Sequence, residues 1–193
     1  MKGKKKILWI DTETTGLDPT LHSIIQIGGV IDIDGEEKEI FEMKCKPHPD
    51  FVVDNSAIAV NKLYDYRDFP EMRNMHKTLC DTFSRYVDKF DRDDKFIIAG
   101  QNIKFDLDML AHFFMRLGDN YLGSYVDFRK RIELYDITNA LQQLGIIKSE
   151  SLSLPKLCEE FEIEYTAHDA LSDIVATRDI YYNIIERLSW RKA

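Results

Sequence analysis

A hairpin turn near the start of the chain constrains the fold more than any other feature of the sequence. The pair Asp34–Gly35 lies between two apolar segments, Ile24–Asp32 and Ile40–Met43. Asp-Gly favours the tight turn whose twist matches that of two antiparallel strands. An earlier apolar strand, Lys5–Asp11, is followed by the turn residues Gly16–Pro19. The sequence therefore predicts an antiparallel meander of three strands.

Helices and strands alternate in the rest of the chain, where apolar residues recur at the three- and four-residue spacing of helices packed on one face. The predicted elements are a short helix capped by Asn55 or Ser56, a longer helix that opens at Phe69–Pro70 and continues to Phe90, a strand over Phe96–Ala99, a helix over Lys104–Leu117, a strand over Glu133–Ile137, and helices over Ile137–Leu144, Ser153–Phe161 and Asp169–Leu188. This order predicts an α/β fold in which a mixed sheet is flanked by helices. We expect a single domain over residues 1–193.

The charge and hydropathy of the chain exclude several classes of protein. The formal net charge is −8, with basic clusters at the N-terminus and at Arg129–Arg131. Broad wrapping of duplex nucleic acid needs many Lys and Arg contacts to phosphates, so we do not expect it. No apolar run approaches the roughly 20 residues that cross a bilayer. Asp11 and Glu13 interrupt the N-terminal apolar stretch too early for a signal peptide, so we expect a cytoplasmic protein without membrane association.

The cysteines give no sign of a structural metal or disulfide framework. Cys45, Cys80 and Cys158 are far apart, odd in number and form no CxxC pair. We expect all three to be free thiols, as is usual in a reducing compartment.

Two acidic residues follow the first apolar strand in the sequence Ile10-Asp11-Thr12-Glu13. Residues two apart in a strand point to the same face, so Asp11 and Glu13 would be neighbours. Two adjacent carboxylates repel each other, and a hard metal ion is the natural compensation. The alternative at this point is that both lie in solvent, beyond the end of the strand.

A third acidic residue lies on the packing face of a predicted helix. Asp106 precedes Met109 and Leu110 by three and four residues and shares their face, whereas Asp108 points elsewhere and is expected in solvent. A carboxylate on an apolar face is costly unless it is paired or coordinated. The alternative is a helix N-terminal acid that is stabilised by the helix dipole.

The last predicted helix carries the same kind of anomaly. Asp173 lies beside the packing face that continues through Ile180 and Ile184, and His168 precedes the helix. His168 could equally be a cap or a surface residue, and Asp169 could be the N-cap. Together, these three features, which comprise Asp11 with Glu13, Asp106, and Asp173, fall at strand ends or helix starts on one plausible sheet edge. That arrangement suits two divalent ions roughly 3.5–4 Å apart that clamp a phosphodiester.

Three segments resemble the motifs of the DEDDh exonucleases, a ribonuclease H-like family typified by the proofreading epsilon subunit of DNA polymerase III. They are WIDTETTGLDP at Trp9–Pro19, NIKFDLDML at Asn102–Leu110 and HDALSD at His168–Asp173. The resemblance extends from about residue 6 to residue 185, and all five family positions are filled: Asp11, Glu13, Asp106, His168 and Asp173.

The resemblance implies a five-stranded mixed sheet, antiparallel over its first three strands and then parallel, and two Mg²⁺ or Mn²⁺ ions. Asp11 would contact both ions, Glu13 and Asp173 would complete the first, and Asp106 would act on the second through water. His168 would be the general base, since histidine changes charge near neutral pH. The product would be a 5′-mononucleotide released from a nucleic acid 3′ end.

The resemblance also implies residues that bind the 3′-terminal nucleotide. Thr14, Thr15 and Gly16 would line its pocket, where the backbone can approach the sugar. Asn102 and Phe105 would support the second motif, although Phe105 is also explained as core.

One segment departs from the family pattern. Epsilon-like proteins usually carry His-Gly where this chain has Asn61 and Lys62, which leaves open how Val60 and Asn61 would contact the terminal bases. The chain ends at Ala193, shortly after Asp173, without the long polymerase-binding tail of epsilon subunits. We therefore expect a stand-alone or phage-type exonuclease, with a DNA polymerase as a further partner to be tested.

The leading functional hypothesis is a 3′–5′ exonuclease acting on single-stranded or frayed DNA. The first alternative is an exoribonuclease of the oligoribonuclease-like branch, which usually has methionine where this chain has Thr15. The second is a non-catalytic, polymerase-associated module, against which the intact set of five motif residues argues.

Overall fold

The hairpin at Asp34–Gly35 sets the antiparallel pairing in the first half of the sheet. In the computed structural model, which describes residues 4–190, φ is 55° for Asp34 and 88° for Gly35. A type I′ turn requires positive φ at both of these positions. The turn joins β2 (Ile24–Ile33) to β3 (Glu36–Lys44), and β1 (Lys6–Thr14) pairs with the other side of β2. Both pairings are antiparallel, so the predicted meander is confirmed.

Two parallel strands complete the sheet. β4 (Phe96–Gly100) pairs with β1, and β5 (Val126–Glu133) pairs with β4. The strand order is β3-β2-β1-β4-β5, which confirms the predicted α/β class with a five-stranded mixed sheet. β1 is therefore the central strand, with neighbours on both edges.

Helices connect the strands and cover the sheet. Their bounds are α1 Asn55–Asn61, α2 Met72–Ser84, α3 Ile103–Arg116, α4 Leu134–Gln143, α5 Leu154–Phe161 and α6 Ala170–Trp190, with 3₁₀ turns at Tyr66–Asp68 and Leu122–Ser124. Within residues 4–190, none of these helices combines the length and apolar character that a bilayer crossing requires. The first three residues of the basic N-terminal cluster, Met1–Gly3, lie outside the described part of the chain.

The predicted cap of α1 is wrong by one residue. Asp54, rather than Asn55 or Ser56, precedes the helix, and its carboxylate accepts a hydrogen bond from Ser56 N at 2.8 Å. Aspartate, asparagine and serine are all favoured at this position, so composition alone could not choose among three adjacent candidates.

The second predicted helix ends earlier than its apolar spacing indicated. α2 ends at Ser84, and Phe90 is exposed instead of packed. Asp88 Oδ1 accepts a hydrogen bond from Phe90 N at 3.0 Å, and Asp94 Oδ2 accepts one from Asp88 N at 2.9 Å. These aspartates offer the backbone an alternative to helical hydrogen bonds, so turns replace the predicted last part of the helix.

The predicted strand over Glu133–Ile137 is also wrong. β5 occupies Val126–Glu133, and α4 begins immediately at Leu134. β5 lies at the edge of the sheet and carries the exposed basic residues Arg129–Arg131, so it lacks the apolar alternation that identifies a buried strand. Its pairing with β4 is also irregular, because Phe96 faces Val126 whereas Ile98 faces Arg131.

The two faces of β1 pack against different helices. Leu8 and Ile10 belong to the core formed with α2 and α3, whereas Ile7 and Trp9 pack with Ile174 of α6. Since side chains alternate along a strand, the face of Ile7 and Trp9 continues through residues 11 and 13. The sheet therefore directs Asp11 and Glu13 towards α6.

Candidate active site

Asp11 and Glu13 lie within β1, so the alternative that both extend beyond the strand is wrong. Asp11 is paired across the sheet with Gly28. A Cβ on Gly28 would lie 2.3 Å from the backbone carbon of Ala170, the first residue of α6. The missing side chain therefore lets the N-terminus of α6 approach the acidic end of β1. Asp173 is in the first turn of this helix.

Three carboxylates converge at this point. Asp11, Glu13 and Asp173 each offer an oxygen, and these oxygens all lie within 4.8 Å of one another. Asp173 Oδ2 accepts a hydrogen bond from His168 N at 3.3 Å. Asp173 Oδ1 is buried and finds no hydrogen-bond partner among the described residues. A buried carboxylate oxygen without a donor, beside two further carboxylates, fits a divalent cation that takes oxygen ligands.

Asp106 joins this group from α3. Its Oδ1 accepts hydrogen bonds from Thr12 N at 2.9 Å and from Thr12 Oγ1 at 2.7 Å. Thr12 lies between Asp11 and Glu13 in β1. Its side chain points to the α3 face of the strand, whereas the side chains of Asp11 and Glu13 point to the opposite face. Asp106 is thus fixed beside the other acids by the strand that carries two of them. Asp108, by contrast, is half-exposed and pairs with Lys104 at 2.5 Å, as expected for a surface acid.

The pKa of each of the four carboxyl groups is raised above its usual value. Burial raises the pKa of Asp11, and the charges of Asp106, Glu13 and Asp173 raise it further. Burial, followed by the charge of Asp173, raises the pKa of Glu13 to about 7. Burial also raises the pKa of Asp106 to about 7, against the lowering effect of the Thr12 hydrogen bonds, and that of Asp173 to about 6. Such crowding is relieved when a cation stabilises the ionised forms.

His168 lies at the edge of this group. It has a positive φ of 62°, and its side chain is exposed to solvent. The contact that joins it to the carboxylates is made by its backbone N–H. Asp169, the next residue, accepts a hydrogen bond from Ser172 N at 2.9 Å and so serves as the N-cap of α6.

The predicted nucleotide-binding residues at the end of β1 form a connected loop. Thr14 Oγ1 donates to Gly16 O at 2.7 Å, and Thr15 Oγ1 donates to Val52 O at 2.8 Å. Asn61, at the end of α1, donates from Nδ2 to Thr14 O at 2.9 Å. Thr14, Thr15 and Asn61 are buried, so their side chains hold the loop in place.

The remaining predicted binding residues differ in exposure. Val60 is half-exposed, on the helix that contacts the Thr14 loop. Asn102 is exposed and has a left-handed conformation, with φ of 60°, immediately before α3. Phe105 is partly buried and packs against the main core, in agreement with its alternative explanation.

Glu133 is a supporting residue that the sequence pattern does not indicate. The Glu133 carboxylate accepts hydrogen bonds from Asn102 N at 2.7 Å and Ile103 N at 2.9 Å, at the start of α3. It also accepts one from Tyr135 N at 3.2 Å, at the start of α4. Glu133 thereby anchors the helix that carries Asp106. Its role depends on the pairing of β5 with β4. The sequence predicted this strand over Glu133–Ile137 and therefore did not indicate the role.

The mixed sheet with its flanking helices is a ribonuclease H-like fold, with acidic residues gathered around its central strand. The exonuclease family model RNase_T matches residues 8–181, and the chain belongs to this family. It is thus a 3′–5′ exonuclease, a hydrolase of phosphodiester bonds.

Curated relatives are similar over most of this chain. The DNA polymerase III subunit epsilon of Rickettsia felis is 26% identical over 184 residues, which cover 91% of this chain and 72% of that protein. The DNA polymerase III PolC-type of Oceanobacillus iheyensis is 25% identical over 179 residues, covering 92% of this chain and 11% of that protein.

Solved structures share the fold. E. coli exonuclease I in complex with a dT13 oligonucleotide superposes with a TM-score of 0.78 at 22% identity, covering 93% of this chain. This chain spans 41% of the length of that protein. At this level of identity the similarity concerns the fold.

Proposed function

We propose that this exonuclease removes 5′-mononucleotides from the 3′ ends of single-stranded or frayed DNA with the help of two divalent cations, Mg²⁺ or Mn²⁺. The observation that carries the proposal is the partly buried group of Asp11, Glu13 and Asp173, in which the buried Asp173 Oδ1 has no donor among the described residues. A group of this kind is costly to the fold unless a cation compensates it.

The carboxylates divide between the two cations. Glu13 and Asp173 would hold the first together with Asp11, and Asp11 would hold the second together with Asp106, which would act through water. When bound, the cations supply the positive charge that stabilises the attacking and leaving oxygens of the phosphodiester. Thr12 keeps Asp106 in position through its two hydrogen bonds.

His168 acts as the general base. Its exposed side chain accepts a proton from the attacking water at an imidazole nitrogen, and its backbone N–H holds Asp173. Because the residue proposed as the proton acceptor also donates its backbone N–H to Asp173, the base and a proposed cation ligand stay together at the start of α6.

The terminal nucleotide binds at the loop formed by Thr14, Thr15 and Gly16, with Val60 exposed on the adjacent helix α1 and Asn102 exposed at the start of α3. Asn61 supports this loop through Thr14 O. DNA is the favoured substrate because the relatives include a subunit of DNA polymerase III and a PolC-type DNA polymerase III, and exonuclease I is solved with a DNA oligonucleotide. The same relatives support a DNA polymerase as a partner.

A matched pair of 3′-labelled DNA and RNA oligomers of identical sequence tests the substrate. We expect faster release of labelled mononucleotide from the DNA in Mg²⁺, and no release from either in EDTA. Faster digestion of the RNA would instead support an exoribonuclease. Release in EDTA would contradict the dependence on metal ions.

A further inference from the structure

A second group of metal-ligating side chains lies away from the carboxylates of β1. His76 and Cys80 are four residues apart in α2 and therefore share one face of the helix. Asp119 comes from the segment that follows α3. His76 Nε2 lies 3.0 Å from Asp119 Oδ2, and Cys80 Sγ lies 3.6 Å from His76 Nε2. One ligand atom of each residue lies within 4.8 Å of the other two.

The surroundings of this group orient its ligand atoms. Asp119 Oδ1 accepts a hydrogen bond from Tyr121 N at 2.7 Å, which directs Oδ2 towards His76. The imidazole of His76 packs edge-on against Phe114, with 4.6 Å between ring centroids, and more loosely against Phe113. The group thus has an apolar wall on one side. On the other side the side chains of His76 and Asp119 keep about a fifth of their surface in solvent.

The chemistry of Cys80 argues against a reactive thiol. Burial, followed by the charge of Asp119, raises the pKa of this thiol to about 11. A nucleophilic or redox-active cysteine requires the opposite, a lowered pKa next to positive charge. A cation that takes sulfur, on the other hand, displaces the thiol proton when it binds.

We propose that His76, Cys80 and Asp119 bind Zn²⁺ or a similar borderline-soft divalent ion, with water as the fourth ligand. Tetrahedral zinc sites take this mixture of nitrogen, sulfur and oxygen at roughly 2.0–2.3 Å, which separates neighbouring ligand atoms by about 3.3–3.7 Å. The separations of 3.0 and 3.6 Å are close to this range. Mg²⁺ and Mn²⁺ prefer oxygen ligands, so this site differs in chemistry from the carboxylate group.

The proposed ion links two segments that are distant in sequence. It joins the middle of α2 to the loop after α3, whereas Asp106 lies in the first turn of α3, at the opposite end of that helix. The expected consequence is stabilisation of the α2–α3 layer without a direct part in hydrolysis. The inference does not depend on the proposed function.

Co²⁺ is the probe that tests this site, because a thiolate bound to Co²⁺ gives a charge-transfer absorption band that carboxylates do not give. The full chain is titrated with Co²⁺ in the presence of excess Mg²⁺. We expect a band that saturates at one equivalent and disappears when Zn²⁺ is added. Zn²⁺ should also raise the Tm of the wild-type protein.

Variants separate this site from the rest of the chain. Cys80→Ser should abolish the band, whereas Asp119→Asn should weaken Co²⁺ binding by about tenfold or more and leave the fold unchanged. Cys158→Ser is the matched control, because it removes a thiol outside the proposed site. Asp11→Asn is a second control, because it removes a carboxylate from the group on β1. Both variants should keep the band. Absence of the band in the wild-type protein, or its persistence in Cys80→Ser, would overturn the proposal.

Discussion

Gly28 sets how closely α6 can approach β1. It lies opposite Asp11 in the sheet, and a Cβ at this position would lie within 2.4 Å of the Ala170 backbone. Backbone atoms in the first turn of a helix cannot move aside as the tip of a side chain can. Gly28 is thus a positioning residue that brings Asp173 to the acidic end of β1.

Gly28→Ala is expected to raise the Mg²⁺ concentration needed for half-maximal activity, because the added methyl group displaces Asp173 from Asp11 and Glu13. Overpacking should also lower the free energy of unfolding by about 1–3 kcal/mol. Gly29→Ala is the matched control, because its Cβ would meet the Phe41 ring on the other face of β2. It should reduce stability without changing the Mg²⁺ dependence of the rate. Equal Mg²⁺ dependence in the two variants would contradict this role.

The site residues were predictable from the sequence where a carboxylate stands in an apolar pattern. Asp11, Glu13, Asp106 and Asp173 each interrupt a strand or a helix face, and the structure places them together. Their catalytic roles stay predictions. The supporting residues Gly28 and Glu133 carry no such signal, because their contacts depend on strand register and on the approach of a distant helix.

At the scale of elements, a buried ionic network fixes α6 on the sheet. Asp32 of β2 is fully buried and accepts hydrogen bonds from Trp9 Nε1 at 2.9 Å, Arg178 Nε at 3.0 Å and Tyr182 Oη at 2.7 Å. These donors belong to β1 and α6. The network lies farther along the same helix that begins with Asp173, so it sets the direction in which α6 reaches the site.

Asp32→Ala is expected to lower the free energy of unfolding by about 3–5 kcal/mol, because the mostly buried Arg178 guanidinium loses its buried partner and keeps only the partly exposed Glu37 and Asp179, each at 3.4 Å. Asp179→Ala is the control, since Asp179 is partly exposed and lies 3.4 Å from Arg178 Nη1. Its removal should cost less than about 1 kcal/mol. Urea denaturation of both variants measures the difference. Similar losses would show that the buried contacts do not dominate the packing of α6.

Strands and helices were predictable from the sequence where their burial produces a recognisable pattern of apolar residues. β1, β2 and β4 are apolar because they are covered on both faces, and the Asp34–Gly35 turn fixed the pairing of β2 with β3. The predicted strand lies after the true β5, because the exposed, basic residues of β5 give no apolar pattern. The predicted second helix is longer than α2, because the aspartate turns after Ser84 carry apolar residues at helical spacing.

At the scale of the whole molecule, the carboxylate group makes stability depend on pH and metal ions. The pKa of Glu13 is raised to about 7 and that of Asp173 to about 6, so the folded protein without metal ions holds protons that the unfolded chain releases. This contribution to stability is complete below the unfolded pKa of about 4. It is lost as the pH rises through the folded values, up to about 7.

The Tm in EDTA is therefore expected to fall between about pH 4 and pH 7 through this group. Mg²⁺ or Mn²⁺ should raise the Tm more at the higher pH, because the cation stabilises the ionised carboxylates. Thermal denaturation with and without metal ions measures this. Glu13→Gln should flatten the fall in EDTA, and an unchanged slope in this variant would assign the pH dependence to other groups.

The most direct test of the two-metal account is the rate at which Asp11→Ala releases mononucleotides from 3′-labelled single-stranded DNA in Mg²⁺. Asp11 is the carboxylate that both cations would share, so its loss should abolish release. Burial and the neighbouring carboxylates raise the pKa of Asp11, so its removal should relieve repulsion within the group and the Tm in EDTA should not fall. Asp108→Ala, which removes a half-exposed acid paired with Lys104, should keep the wild-type rate. Unchanged turnover by Asp11→Ala would contradict the account.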